Sequence, residues 1–209
     1  MLRFRLEAGA PSAQAPIEYD TSHASRSSPR MPPSRSLTRQ GATTYDRQMI
    51  LRCTKKLLHV IRPEQLAATN PEGNDWYANL LFFDRRKCLL LTHSDTLFTI
   101  FEPDTRASDL RATQALVEKL IERELTSEAL PRGTFGDLWS EDLLIAKTAD
   151  RSLLGCMNDM AYLCEDAVAH AGSLARADVQ SLNRSLRRNI NSARDYQRPI
   201  DLVMERTTR

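Results

Sequence analysis

From residue 49 onward, apolar positions fall into short runs with two different periods. Met49-Ile-Leu-Arg-Cys53 has the length and composition of a strand, and Lys55–Ile61 that of a short helix which Thr54 can cap. Pro63 and the Asn70-Pro-Glu-Gly-Asn-Asp75 cluster mark a loop. Three closely spaced strands follow, Ala78–Asp84, Lys87–His93 and Thr96–Phe101. They are joined by tight links at Arg85-Arg86 and Ser94-Asp95, which predicts an antiparallel meander. Leu80-Leu-Phe-Phe83 and Leu89-Leu-Leu91 are apolar at both parities, so these strands should be covered on both faces.

Helical spacing starts at Ser108, with Leu110, Val117, Leu120, Ile121 and Leu125 near one stripe. Leu143–Lys147 supplies a fifth strand after a loop around Pro131, Gly133 and Gly136. In the next helix Leu153, Met157, Met160, Cys164 and Val168 share a face, ending near Gly172. Asp178 can cap another, with Val179, Leu182, Leu186 and Ile190 inward, and Pro199 introduces a last short helix. The expected fold class is α+β, with a mixed, mainly antiparallel sheet of about five strands packed by helices.

The first 48 residues differ in kind. They are rich in Ser, Arg and Pro, show neither period, and carry seven arginines against four acids, whereas the remaining 161 residues hold 22 basic and 23 acidic side chains. Residues 1–48 are therefore read as a disordered arm, with Met49 as a candidate true start, and residues 49–209 as one domain. Because the basic excess belongs to the arm, a nucleic-acid-coating protein is not indicated. Cys53, Cys88, Cys156 and Cys164 are widely spaced in apolar segments, as free thiols of a reducing, cytoplasmic compartment would be. No run approaches the roughly 18 apolar residues of a membrane span.

Several enzyme classes lack their signatures. There is no GxxxxGK[ST] or GxGxxG loop, no GxSxG elbow and no HExxH pair, so no cofactor or metal is called for. His59 and His170 sit on expected helices, and Cys88 and His93 would lie on opposite faces of one strand. His93 and Asp95 flank a tight turn, where they either form an acid-base pair or Asp95 caps turn amides.

Four constellations remain. Arg52, Lys55 and Lys56 surround a strand-to-helix junction suited to an anion, or else pair with nearby carboxylates. Asp75, Trp76, Tyr77 and Asn79 stand at a strand entrance, where the aromatics can stack a flat ligand or close the core. Lys147, Arg151, Ser152, Asn158 and Asp159 cluster at a second strand-to-helix junction, with Gly155 among them, an odd choice so early in a helix. Either these residues face a cleft, or close packing explains Gly155 and buried hydrogen bonds explain Asn158 and Asp159. Arg184, Arg187, Arg188 and Arg194 form a basic stripe that is either a nucleic-acid track or a solvated helix face.

Three segments together, RCTKKLL at 52–58, DWYANLLFFDRRKCLLLTH at 75–93 and RSLLGCMND at 151–159, resemble a bacterial family of unknown function. The likeness runs from about Met49 to the helix after Gly172, with LNR at 182–184 and YQRPI at 196–200 as a fainter tail. The family pattern starts at the strand before RCTKKLL and carries serine where Cys156 stands, which argues against a reactive thiol. The resemblance implies a prokaryotic cytoplasmic protein and brings no activity. Two functions are carried forward. The first is a binding or accessory domain for a phosphate-bearing ligand, nucleotide or nucleic acid, using Arg52, Lys55, Lys56, Lys147 and Arg151 for charge and Trp76 or Tyr77 for stacking. The second is a phosphoryl- or acyl-group enzyme with Asp75 and Asp159 as catalytic carboxylates. A protein-interaction module is the third option.

Overall fold

Ile50–Cys53 is buried at every position because it lies inside the sheet as strand β1, with a strand on either side. The computed structural model describes residues 48–136 and 142–208. The arm expected over residues 1–48 therefore lies outside the described residues, apart from its last position. Helix α1 (Lys55–Ile61) follows, then β2 (Trp76–Phe83), β3 (Arg86–His93), β4 (Thr99–Glu102), α2 (Ala107–Arg111), α3 (Thr113–Ser127), β5 (Leu144–Lys147), α4 (Arg151–Ala171), α5 (Val179–Arg188) and α6 (Pro199–Thr208). The strands lie in the order β4-β3-β2-β1-β5. β1 is parallel to both β2 and β5, while β2, β3 and β4 form the antiparallel meander, whose first ladder pairs eight residues. The fold is α+β.

Both parities of the apolar strands are used. Trp76, Ala78, Leu80, Leu89 and Leu91 face a core closed by α1, α2, α3 and α6. Tyr77, Cys88, Leu90 and Phe101 face a second core closed by α4 and α5. All four cysteines are buried and free, and burial pushes the Cys53 and Cys164 thiols up to about 12, so they remain protonated and act as apolar filler. Among the described residues no helix is long and apolar enough to cross a membrane.

Local details depart from the expectations where side chains compete with backbone. Thr54 does not cap α1; its hydroxyl turns to Asn79 Oδ1 at 3.1 Å. The β2–β3 turn sits at Asp84-Arg85, one residue earlier than expected. Both residues have positive φ, which a two-residue hairpin of this twist requires, and Asp84 Oδ2 accepts from the Leu174 amide at 2.7 Å. β4 begins at Thr99 rather than Thr96, because Leu97 is in the left-handed region. The helix expected from Ser108 is two helices broken at Ala112, where Thr113 donates its hydroxyl to Leu110 O at 2.6 Å. Ile190, expected inward, is exposed because α5 ends at Arg188. Asp150 and Asp178 do cap their helices, and Gly172 ends α4 in the left-handed conformation.

The basic stripe divides in the structure: Arg184 and Arg188 are exposed, as a solvated helix face would have them, whereas Arg187 is buried. Arg187 is 1 % exposed and binds Glu124 Oε2 at 2.7 Å and Glu128 Oε1 at 2.8 Å, with its guanidinium 5.0 Å from the Phe98 ring. Arg188 adds a second contact to Glu128 at 2.6 Å, and Arg194 donates to the carbonyls of Ser94 and Asp95. One turn before Arg187, Asn183 accepts from Phe101 N at 2.7 Å and donates to Phe101 O at 3.0 Å, closing the outer edge of β4 with a side-chain amide.

Replacing Asn183 with Ala leaves two buried backbone groups of Phe101 unpaired, and urea unfolding should show a loss of about 2 to 4 kcal/mol. The Glu128 carboxyl gives a pH signature. Burial alone would raise it above its ordinary 4.5, but hydrogen bonds from Arg188 and Arg187 outweigh that and bring it to about 2. A depressed folded value means the contribution is complete above 4.5 and is lost as pH falls toward 2. Unfolding curves across that range should be less steeply acid-dependent for Glu128→Gln than for the wild type.

Candidate functional site

The parallel register pairs Cys53 of β1 with Lys147 of β5, so the two strand-to-helix junctions singled out by their basic residues are neighbours. After β1 the chain turns into α1, which packs on the first face of the sheet; after β5 it turns into α4, which packs on the second. In open parallel α/β sheets, adjacent strands whose helices leave to opposite faces open a ligand-binding crevice at their carboxyl ends, and β1 and β5 share that local arrangement here. Lys55, Lys56, Lys147, Arg151 and Ser152 are exposed there. None of the four cations makes an ion pair with a described residue. The two helix starts differ. Asp150 Oδ1 accepts from Ser152 N at 2.8 Å and Leu153 N at 3.1 Å, filling the start of α4, whereas no side chain caps α1.

Beneath this rim lies a buried ion pair. Arg52 is 1 % exposed and Asp75 2 %. Arg52 Nε donates to Asp75 Oδ2, which also accepts from Glu72 N at 3.2 Å. The far end of the guanidinium reaches Asn70 O at 2.6 Å, Thr69 O at 3.1 Å and Lys147 O at 3.4 Å. Ala67, two residues before Thr69, bridges to Ala146 on the outer side of β5, so Arg52 spans β5 and binds the segment beyond it. Ala146, wholly buried and paired with Arg52, leaves the side chain room to pass. Most of the Arg52 donors are thereby engaged within the fold.

Trp76 and Tyr77 point to opposite faces. Trp76 packs its ring against His93, Phe98 and Phe135 at centroid distances of 5.3, 6.5 and 5.0 Å. Tyr77 stands beside Arg52, buried under the start of α4. Burial raises its phenol pKa, and nearby Arg52 partly offsets this. Among the described residues Trp76 Nε1 has no hydrogen-bond partner, while the Tyr77 hydroxyl lies against the backbone of Asp150. Asn79 is half-buried, held by Thr54. His93 pairs with Thr96 Oγ1 at 3.0 Å and Asn74 Oδ1 at 3.2 Å, not with Asp95, whose carboxylate instead faces Arg206 at 3.4 Å. Burial, with Arg206 and Arg194 nearby, lowers the His93 pKa to about 3, so the ring is neutral at physiological pH.

Asp75 is held by Arg52, while Asp159 and Asn158 are exposed on α4. Gly155 is exposed as well, and a Cβ built on it would meet nothing within 4 Å, so neither close packing nor buried hydrogen bonding accounts for this turn of α4. Among the described residues no group of three or more His, Cys, Asp or Glu side chains could hold a metal ion. The most elaborate polar cluster, Arg187 with Glu124 and Glu128, went unnoticed in the sequence. The available signal was Glu124, a charge lying within the apolar stripe of α3.

The sequence profile of the domain of unknown function DUF6933 matches residues 50–202, from the first residue of β1 into α6. The chain belongs to the DUF6933 family. No curated protein and no solved structure matches it. Both junctions and the Arg52–Asp75 pair lie inside the DUF6933 match.

Removing Arg52 from the DUF6933 domain strands a buried carboxylate. Arg52→Ala should destabilise the protein by about 3 to 5 kcal/mol in equilibrium denaturation, and adding Asp75→Ala should recover part of that loss.

Proposed function

We propose that the domain binds a phosphate-bearing ligand, a nucleotide or a nucleic-acid segment, in the crevice at the carboxyl ends of β1 and β5. The observation that carries this reading is the Cys53–Lys147 register, which sets two basic junctions side by side where α1 and α4 diverge. Lys55, Lys56, Lys147 and Arg151 supply exposed charge that no carboxylate of the described residues neutralises. Arg52 acts as the support under the crevice rather than as a contact, because its donors hold Thr69, Asn70, Asp75 and Lys147. The buried position of Trp76 favours backbone recognition through charge over stacking on that ring. The carboxylate-enzyme reading draws less support, since Asp75 is buried and held by Arg52 while Asp159 is exposed.

Fluorescence anisotropy with labelled nucleotides, single-stranded RNA and single-stranded DNA across a salt series tests the proposal. The wild type should bind at least one of them with affinity that falls as salt rises. Replacing Lys55, Lys56 and Lys147 together by Glu should weaken binding about tenfold or more, worth ~1.4 kcal/mol, without lowering the melting temperature. Absence of salt-dependent binding to all three probes overturns the reading.

A further inference from the structure

The exposed side of α4 has no purpose within the chain. Leu153, Met157, Met160 and Cys164 point into the second core, which leaves Arg151, Ser152, Gly155, Asn158, Asp159 and Tyr162 outside. At 100° per residue, positions three and four residues either side of Gly155 lie within about 60° of it, so Gly155 is at the centre of this face. Glycine there disfavours the helix roughly fivefold relative to alanine. The added Cβ would meet nothing within 4 Å, and the backbone is not in the left-handed region that calls for glycine. A bare backbone at the outermost point of a helix is what close approach by another backbone requires.

The residues around Gly155 specify what approaches. In an antiparallel pairing of two α4 helices about a twofold axis at Gly155, residue 155 − n of one copy faces residue 155 + n of the other. Four residues away, Arg151 then meets Asp159, twice by symmetry. Three residues away, Ser152 meets Asn158, again twice. A parallel pairing would set Arg151 against Arg151 and Asp159 against Asp159, so the charges select the antiparallel arrangement. Tyr162, 69 % exposed one turn further on, lies beyond the overlap and can fold over the partner's helix start.

We propose that the outer face of α4 is the contact surface for a second copy of this chain, an antiparallel helix pair crossing at Gly155 and locked by reciprocal Arg151–Asp159 ion pairs. Arg151 thus closes the rim of the anion crevice on one side and faces the partner copy on the other. Because self-association is read without ligand, its outcome is independent of the phosphate reading.

Sedimentation velocity of the full chain over a dilution series tests this. The wild type should show a reversible monomer–dimer equilibrium that weakens with salt. Gly155→Leu and Asp159→Arg should each raise the dissociation constant at least about tenfold, and Arg151→Glu combined with Asp159→Arg should restore it. Gly155→Ala should raise the melting temperature in dilute solution, where only the monomer's helix preference is measured. A wild type that stays monomeric up to about 1 mM, a dimer indifferent to Gly155→Leu, or a double charge swap no better than either single variant overturns the proposal.

Discussion

Burying a guanidinium in a sheet is costly. A charge taken out of water is tolerated only when a counter-charge and enough acceptors replace the lost hydration. Arg52 meets that condition with Asp75 and the carbonyls of Thr69, Asn70 and Lys147. These partners belong to three pieces of chain: the entrance to β2, the segment outside β5, and the end of β5. The segment that follows α1 is short of apolar anchors, and its one backbone bridge to β5 is at Ala67. Arg52 therefore adds a second hold on that segment beside the Ala67 bridge, while the four-residue ladder between β1 and β5 seats β5 itself.

The opposite end of the sheet solves a related problem with the same materials. β4 is an edge strand whose outward backbone groups need partners, and α5 supplies them through Asn183. Arg187, one turn on, ties α5 to Glu124 and Glu128 of α3 and rests on Phe98. One helix thereby joins the layers on the two faces. Such networks add little net stability compared with apolar packing of equal volume, yet they tolerate few alternative arrangements, because any slip leaves a buried charge alone. Their contribution is to fix how the layers sit.

The strand and helix segments were legible because each is set by local period. The meander between β2 and β4, the apolar faces of α3 and α4, and the cap Asp178 need only neighbours in sequence. Strand order was not legible, because the interior position of β1 depends on Cys53 pairing with residues 25 and 94 positions away, Ala78 and Lys147. The break at Ala112 was hidden for a local reason, since alanine favours the helix and the competing bond comes from Thr113. Arg52 looked like a ligand contact because nothing in a linear sequence reveals that Asp75 comes to meet it. The two junctions were recognised singly from their lysines and arginines, and only the sheet shows that they are adjacent. Arg187 was assigned to a surface for the same reason in reverse: its partners on α3 are some sixty residues earlier.

The amide of Asn183 deserves a chemical reading. A carboxamide carries the same donor and acceptor as a peptide group, so at Phe101 the sheet meets what amounts to a single counterfeit residue of a sixth strand. A real strand from another molecule, arriving at that edge, finds the place already occupied and a helix standing in its path. The sheet is thus finished by a side chain, and growth by lateral recruitment is blocked at that end without covalent closure. The long apolar strands behind it thus end on a satisfied peptide group at Phe101 rather than on an open one.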